Sequence, residues 1–173
     1  MSNYRRVRLE GGCYFFTLVT YQRQPLFAEP ANIARLREGL RRVMAKRPFE
    51  IDAAVVLPDH LHCLWRLPEG DADYSTRWRL VKHYFSQGVV RPVNHRGEKS
   101  IWQRRFWEHT IRNQEDWRRH VDYIHYNPVK HGHAKRPADW IAGSFQQALA
   151  RGWYEDENWG MTAPSTVSEE DWE

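Results

Sequence analysis

Cysteine is nearly absent from this chain: Cys13 and Cys63 are the only two in 173 residues. A domain of this length buries enough apolar surface to fold without a staple, and two cysteines in no metal-type or redox spacing read as small buried residues in a reducing cytoplasm. Long hydrophobic runs are missing as well. No stretch approaches the roughly 18 apolar residues that a membrane span needs, and Met1 to Glu10 is polar and arginine-rich, with no apolar segment behind it. The expectation is a cytoplasmic protein that does not touch membrane. Internal repeats and long linkers are also lacking, so a single domain is expected over 1–153. Beyond Trp153 the composition turns acidic and carries Ser, Thr and Pro, which predicts a flexible tail over 154–173.

What is present in quantity is positive charge and aromatic surface. Lys and Arg number 26 against 22 acids, a net charge of +4, and the acids crowd toward the C-terminal end, so the remainder is more basic than the total suggests. Such a balance favours a polyanionic partner through phosphate neutralisation and counterion release. Nine Trp and eight Tyr accompany it. Several stand beside arginines, in Arg77-Trp78-Arg79, Arg104-Arg105-Phe106-Trp107 and Trp117-Arg118-Arg119. Aromatic rings next to guanidinium groups suit stacking on unpaired bases while the charge meets the backbone. The same strings also describe core rings with solvated neighbours.

Gly11-Gly12 precedes CYFFTLVT (Cys13 to Thr20), a β-branched and aromatic run that reads as a buried strand. Ala31 to Lys46 carries Ile33, Leu36, Leu40, Val43 and Met44 at spacings of three and four, an amphipathic helix closed by Arg47-Pro48. Ile51 to Leu57 and His60 to Leu67 read as strands joined by a Pro58-Asp59 turn. Ser75 to Gln87 reads as a second helix and Phe106 to Ile111 as a fourth strand. Gln114 to Asn127 reads as a third helix, N-capped by Asn113 with Glu115 and Asp116 at its positive end, stopped by Pro128 and released at Gly132. The order β, α, β, β, α, β, α predicts an α+β fold: a ferredoxin-like (RRM-like) antiparallel sheet with a helix added at the C-terminal side.

Successive strand residues point to opposite faces, so His60 and His62 share one face while Leu61, Cys63, Trp65 and Leu67 pack the other. The histidines then stand outward from that core, about 7 Å apart along the strand. Two imidazoles held this way can share a divalent cation, although the pattern alone equally describes surface histidines beside a turn. On the third helix Trp117, Val121 and Ile124 form the stripe that seats it on the core. At about 100° per residue, Tyr123 and Asn127 lie only about 40° apart on one flank, and Tyr126 falls toward solvent. If this helix crosses the histidine face, a phenol and an amide oxygen reach the cation together, and an amide suits Mg²⁺ or Mn²⁺.

Three segments resemble the single-tyrosine HUH transposases and, within them, the REP-associated tyrosine transposases: VLPDHLHCLW (Val56 to Trp65), FWEHTIR (Phe106 to Arg112) and HVDYIHYNPVKHG (His120 to Gly132). The likeness runs in order from about Tyr4 to Trp153. It implies that His60 and His62 are metal ligands, Tyr123 the nucleophile and Asn127 the third ligand, with Mg²⁺ or Mn²⁺ as the cofactor. A related Gln often stands where Asn127 stands here. It also implies a DNA partner that is single-stranded or folded into an imperfect REP hairpin, cut and rejoined through a 5′-phosphotyrosine. Arg5, Arg6, Lys82, Arg104 and Arg105 are candidates for contacts to that DNA, and His120, one turn before Tyr123, is a candidate proton acceptor.

Insertion-sequence relatives act as dimers, whereas the REP-associated group resembles monomers working in cis; between homodimer and monomer, a monomer is preferred. Other readings are a domesticated hairpin-binding protein with little or no catalysis, a non-catalytic RNA-recognition module, and a relaxase or replication initiator. The second lacks the aromatic RNP-type segment, and the third is disfavoured by the short chain and the absence of a helicase segment.

Overall fold

The computed structural model describes residues 7–167. Its elements run β1 (Cys13–Val19), α1 (Pro30–Lys46), β2 (Glu50–Val56), β3 (His60–Arg66), α2 (Tyr74–Gln87), β4 (Trp107–Thr110), α3 (Gln114–Lys130) and α4 (Phe145–Ala150). The strands form one sheet in the order β2-β3-β1-β4, antiparallel at every pairing. This is the ferredoxin-like α+β arrangement that the element order predicts. Among the described residues, no helix is long and apolar enough to cross a membrane.

Period-two alternation divides the sheet into two faces. Tyr14, Phe16 and Leu18 of β1 and Leu61, Cys63 and Trp65 of β3 face α1 and α2, where they meet Leu36, Val43, Trp78, Val81 and Phe85. The centre of this layer is aromatic: Trp65 stacks on Trp78 at 4.0 Å between ring centroids, with Phe49 at 4.1 Å on Trp65. The opposite face carries Phe15, Ala53, Val55 and Leu64 against Val121, Tyr123 and Ile124 of α3 and Phe145 and Ala148 of α4. Trp117, Val121 and Ile124 thus seat α3 as their spacing predicts.

The ends of α3 follow local chemistry. The Asn113 side chain accepts from the Asp116 N–H at 2.8 Å, so it is the N-cap. Pro128, expected to stop the helix, lies inside it, and the helix runs on to Lys130. Proline lacks the N–H that would pair with the Ile124 carbonyl, but in the last turn only that bond is lost and the following residues close the helix. Gly132, at φ 71°, then reverses the chain, donating to the Val129 carbonyl at 2.9 Å.

The segment from residue 154, expected as a flexible tail, packs on the domain as far as residue 167. Tyr154 is buried, with Trp159 at 4.2 Å between ring centroids and Phe145 at 5.0 Å. The Tyr154 and Thr166 hydroxyls both donate to the Asp122 carboxylate, at 2.9 and 2.6 Å. Averaged composition hid these few aromatic anchors, each of which buries enough ring surface to fix the chain around it.

Candidate active site

The site grows from one cross-strand row. Antiparallel register places Thr17 of β1 opposite both His62 of β3 and Trp107 of β4, and Val19 opposite His60. Thr17, His60 and His62 are all buried, because α3 crosses this face. The histidines therefore do face away from the α1/α2 core, but into a second core and not into open solvent.

Each imidazole is held through Nδ1. His60 Nδ1 lies 2.6 Å from Asp59 Oδ1, and His62 Nδ1 lies 2.8 Å from Thr17 Oγ1. The two rings stand 5.1 Å apart at 80°. With Nδ1 occupied in this way, Nε2 is the atom that each ring offers to a cation, and a carboxylate behind a ligating histidine both orients the ring and raises its basicity. Partial burial pushes the Asp59 carboxyl up, but the hydrogen bond from His60 and the Arg23 guanidinium at 3.3 Å outweigh it and hold Asp59 below the usual carboxylate range.

Helix α3 brings three residues, one turn apart, over this row. Tyr123 places its ring 5.2 Å from that of His62 and 6.0 Å from Phe15, and at the C-cap the His131 ring lies 5.2 Å from His60. Asn127 sits midway between them on the same helical face. It is fully buried, and neither amide atom has a hydrogen-bond partner among the described residues. A buried, unpaired amide is costly unless something else satisfies it. Two imidazole nitrogens and an amide oxygen form a neutral donor set acceptable to Mg²⁺ or Mn²⁺, so the residues present fit a divalent metal.

Sequence reasoning missed several neighbours. Lys130 Nζ lies 3.4 Å from Tyr123 Oη and 5.0 Å from the centre of its ring. Asp59 and Thr17 were equally overlooked. Asp59 is adjacent to His60 in sequence, which was a usable signal; Thr17 and His131 become visible only through strand register and the crossing of α3.

His120, the candidate proton acceptor, has other partners: its Nδ1 lies 2.7 Å from the Asp116 carbonyl, and its ring stacks on His109 at 4.6 Å and 13°. Burial pushes its pKa down to about 4. His109, Asp116 and His120 bring one potential ligand atom each within 4.8 Å of one another. A ligating lone pair lies in the ring plane, however, and two nearly parallel, stacked rings cannot both point at an ion about 2.1 Å from each nitrogen. Asp116 instead accepts from His109 Nε2 at 2.8 Å and from the Arg112 N–H at 2.9 Å. These bonds overcome the opposing effect of burial and keep its carboxyl below the usual range.

Lys82 donates to the Gln103 carbonyl at 3.3 Å and lies over the Trp102 and Phe106 rings, on the α2 side of the sheet. Arg104 and Arg105 are exposed in the approach to β4, with Arg104 3.7 Å from Glu98. Arg5 and Arg6 fall outside the described residues. Of the arginine-aromatic strings, Trp78 is core and Arg77 is buried, its guanidinium bound to Asp71 at 2.7 Å; Trp107 stays 39% exposed.

A ferredoxin-like sheet presenting two histidines beneath a helical tyrosine and asparagine defines a class of DNA-processing enzymes, and the chain belongs to the family described as "Transposase IS200 like", which matches residues 10–127. It is a transposase of that family. Within it the chain is 48% identical over 154 residues to the REP-associated tyrosine transposase of Escherichia coli (strain K12), covering 89% of this chain and 88% of the relative. It also superposes on a solved REP-associated tyrosine transposase bound to a REP hairpin, with a TM-score of 0.81, 45% identity and 99% of each chain covered.

Proposed function

We propose that the chain cleaves and rejoins single-stranded DNA beside REP-type hairpins through a 5′-phosphotyrosine at Tyr123, with His60, His62 and Asn127 holding a divalent metal. The observation that carries this reading is the Tyr123 ring standing against His62, one turn before a buried amide with no hydrogen-bond partner among the described residues. A bound Mg²⁺ or Mn²⁺ would polarise a phosphoryl oxygen and hold the phosphate in line. The ligands are neutral, so the cation's charge is left for the anionic substrate.

Tyr123 Oη attacks the scissile phosphorus; the new bond from Oη to phosphorus forms as the bond to the 3′ oxygen breaks, the phenol gives up its proton to solvent, and the departing 3′ oxygen takes one up to leave as a hydroxyl, so that protons balance. Lys130 Nζ, 3.4 Å from Oη, orients the phenol and offers positive charge where negative charge gathers. Phe15 and Leu64 wall the inner side of the site, so water has little access to the linkage from within the sheet. The phosphotyrosine conserves the bond energy, and a second 3′-hydroxyl reverses the step without ATP.

The hairpin partner is supported by the relative solved with one. Arg5, Arg6, Lys82, Arg104 and Arg105 are the basic residues assigned to DNA, and the nucleophile lying beside its own chain's histidines supports a monomer acting in cis. The test is a stem-loop oligonucleotide with single-stranded arms, taken from DNA beside the chain's own gene, incubated with Mn²⁺ and run on a denaturing gel. A protein-linked band is expected that disappears with EDTA and in Tyr123→Phe. Full cleavage by Tyr123→Phe would remove the assignment.

A further inference from the structure

The row through His62 does not end at the sheet's centre. From β3 it passes through Thr17 to Trp107 on β4, the edge strand, so Trp107 projects from the same face as the catalytic histidine. Two strand spacings separate them, about 10 Å. Trp107 is the outermost ring of a column: it stacks on His109 at 6.0 Å and 8°, and His109 stacks on His120 at 4.6 Å and 13°. Phe15 meets the indole edge at 5.6 Å and 74°, fixing it from the side of the site. The three rings of the column are therefore nearly parallel, and the outer indole is 39% exposed.

The column is also locked from below. Asp116 binds His109 Nε2 at 2.8 Å, and its backbone carbonyl binds His120 Nδ1 at 2.7 Å, so the lower rings cannot swing away. A large apolar ring on an edge strand is a liability unless it has a partner, since exposed aromatics invite association. Arg104 and Arg105 precede it in the chain, both exposed. A pre-oriented, partly exposed aromatic face that follows two exposed arginines in the chain matches an unpaired nucleobase with its phosphates, and stacking of this type tolerates any base because each has a π-face.

We infer that Trp107 is the stacking platform for one unpaired base of the DNA strand close to the scissile phosphate, extending the His120-His109-Trp107 column by a fourth ring. The inference rests on the proposed function, since it presumes DNA at the histidine row. Trp107 is a positioning residue: held between the platform and the site, the strand presents its phosphate in register with Tyr123.

The test is a cycle that pairs a protein change with a base change. Binding of the same stem-loop oligonucleotide is measured with single abasic replacements at each unpaired position near the cut, for wild type, Trp107→Ala and Trp107→Phe. In wild type, one abasic position is expected to weaken binding by roughly five- to hundredfold. In Trp107→Ala, intact DNA is weakened by a similar factor and the same abasic replacement costs almost nothing more. Trp107→Phe keeps the sensitivity, which separates a stacking loss from a misfolded protein. If every abasic position costs Trp107→Ala as much as wild type, or if Trp107→Phe behaves as Trp107→Ala, the platform is overturned. Adduct formation by wild type in the same samples reports separately on the proposed function: absence of adduct defeats the enzymatic reading, while the binding cycle still decides the platform.

Discussion

Both faces of the sheet are cored by apolar side chains, but only one of them also buries a row of polar and ionisable groups. Toward α1 and α2, the strands present Tyr14, Phe16, Leu18, Leu61 and Trp65, and the helices answer with Trp78, Val81 and Phe85. Toward α3, the same strands set Thr17, His60 and His62 among Phe15, Val55 and Leu64, and the helix brings His120, Tyr123 and Asn127 beside Val121 and Ile124, all buried. Burying polar groups costs stability unless every bond is made, whereas burying rings supplies it. One face holds the molecule together so that the other can keep polar and ionisable groups dry and fixed. The division teaches where mutations should cost stability and where they should cost chemistry.

The sharpest way to break this contrast is to exchange the roles of two buried rings. Trp65→Ala removes the ring between Trp78 and Phe49, and should lower stability by about 3–5 kcal/mol in a urea titration. Tyr123→Phe, one layer away, should leave the unfolding free energy within about 1 kcal/mol of wild type while ending adduct formation. Similar stability costs for the two would erase the division.

A smaller effect sharpens it through pH. His120 is kept neutral by burial, with its pKa near 4 in place of the usual 6.5. The unfolded chain binds this proton below about 6.5 and the folded chain does not, so the contribution is complete above 6.5 and is lost as pH falls toward 4. His120→Gln should flatten the fall in stability between pH 6.5 and 4 by about 3 kcal/mol. An unchanged slope would show that this ring is not held neutral. Smallest is Asn127→Leu, which replaces a buried amide with no hydrogen-bond partner among the described residues by an apolar group of similar size. In metal-free protein it should raise stability by about 1 kcal/mol, while abolishing any rise in melting temperature on adding Mn²⁺. A loss of stability without metal would mean that the amide is satisfied in the fold.

Much of this was legible in the sequence because it depends on short-range periodicity. The alternation of His60-Leu61-His62-Cys63 places the histidines on one face, and the 123/127 spacing places phenol and amide on one flank. Neither requires knowledge of distant contacts. What stayed hidden depends on register or on packing between remote segments. Thr17 meets His62 only through the pairing of β1 with β3, and His131 meets His60 only through the angle at which α3 crosses the sheet. Pro128 was read as a stop because the rule for proline is strict in a helix interior and lenient in its final turn. The packing of Tyr154 and Trp159 was concealed by acidic neighbours that set the average composition without touching the core.

Helix α3 is gripped from two sides. The sheet holds its inner face, and from behind Tyr154 and Thr166 anchor Asp122, Arg118 reaches the Trp153 carbonyl at 3.0 Å, and Ser144 reaches His125 at 2.8 Å. On the proposed assignment of Tyr123 as the nucleophile, a residue so clamped would have a fixed address and would not ferry its cargo. On the same reading, when a broken strand changes partners the travelling would be left to the nucleic acid: the pace of resealing would be set by how readily a tethered polymer end wanders back to a stationary post, and the span between the two cut points would become the timing element of the reaction.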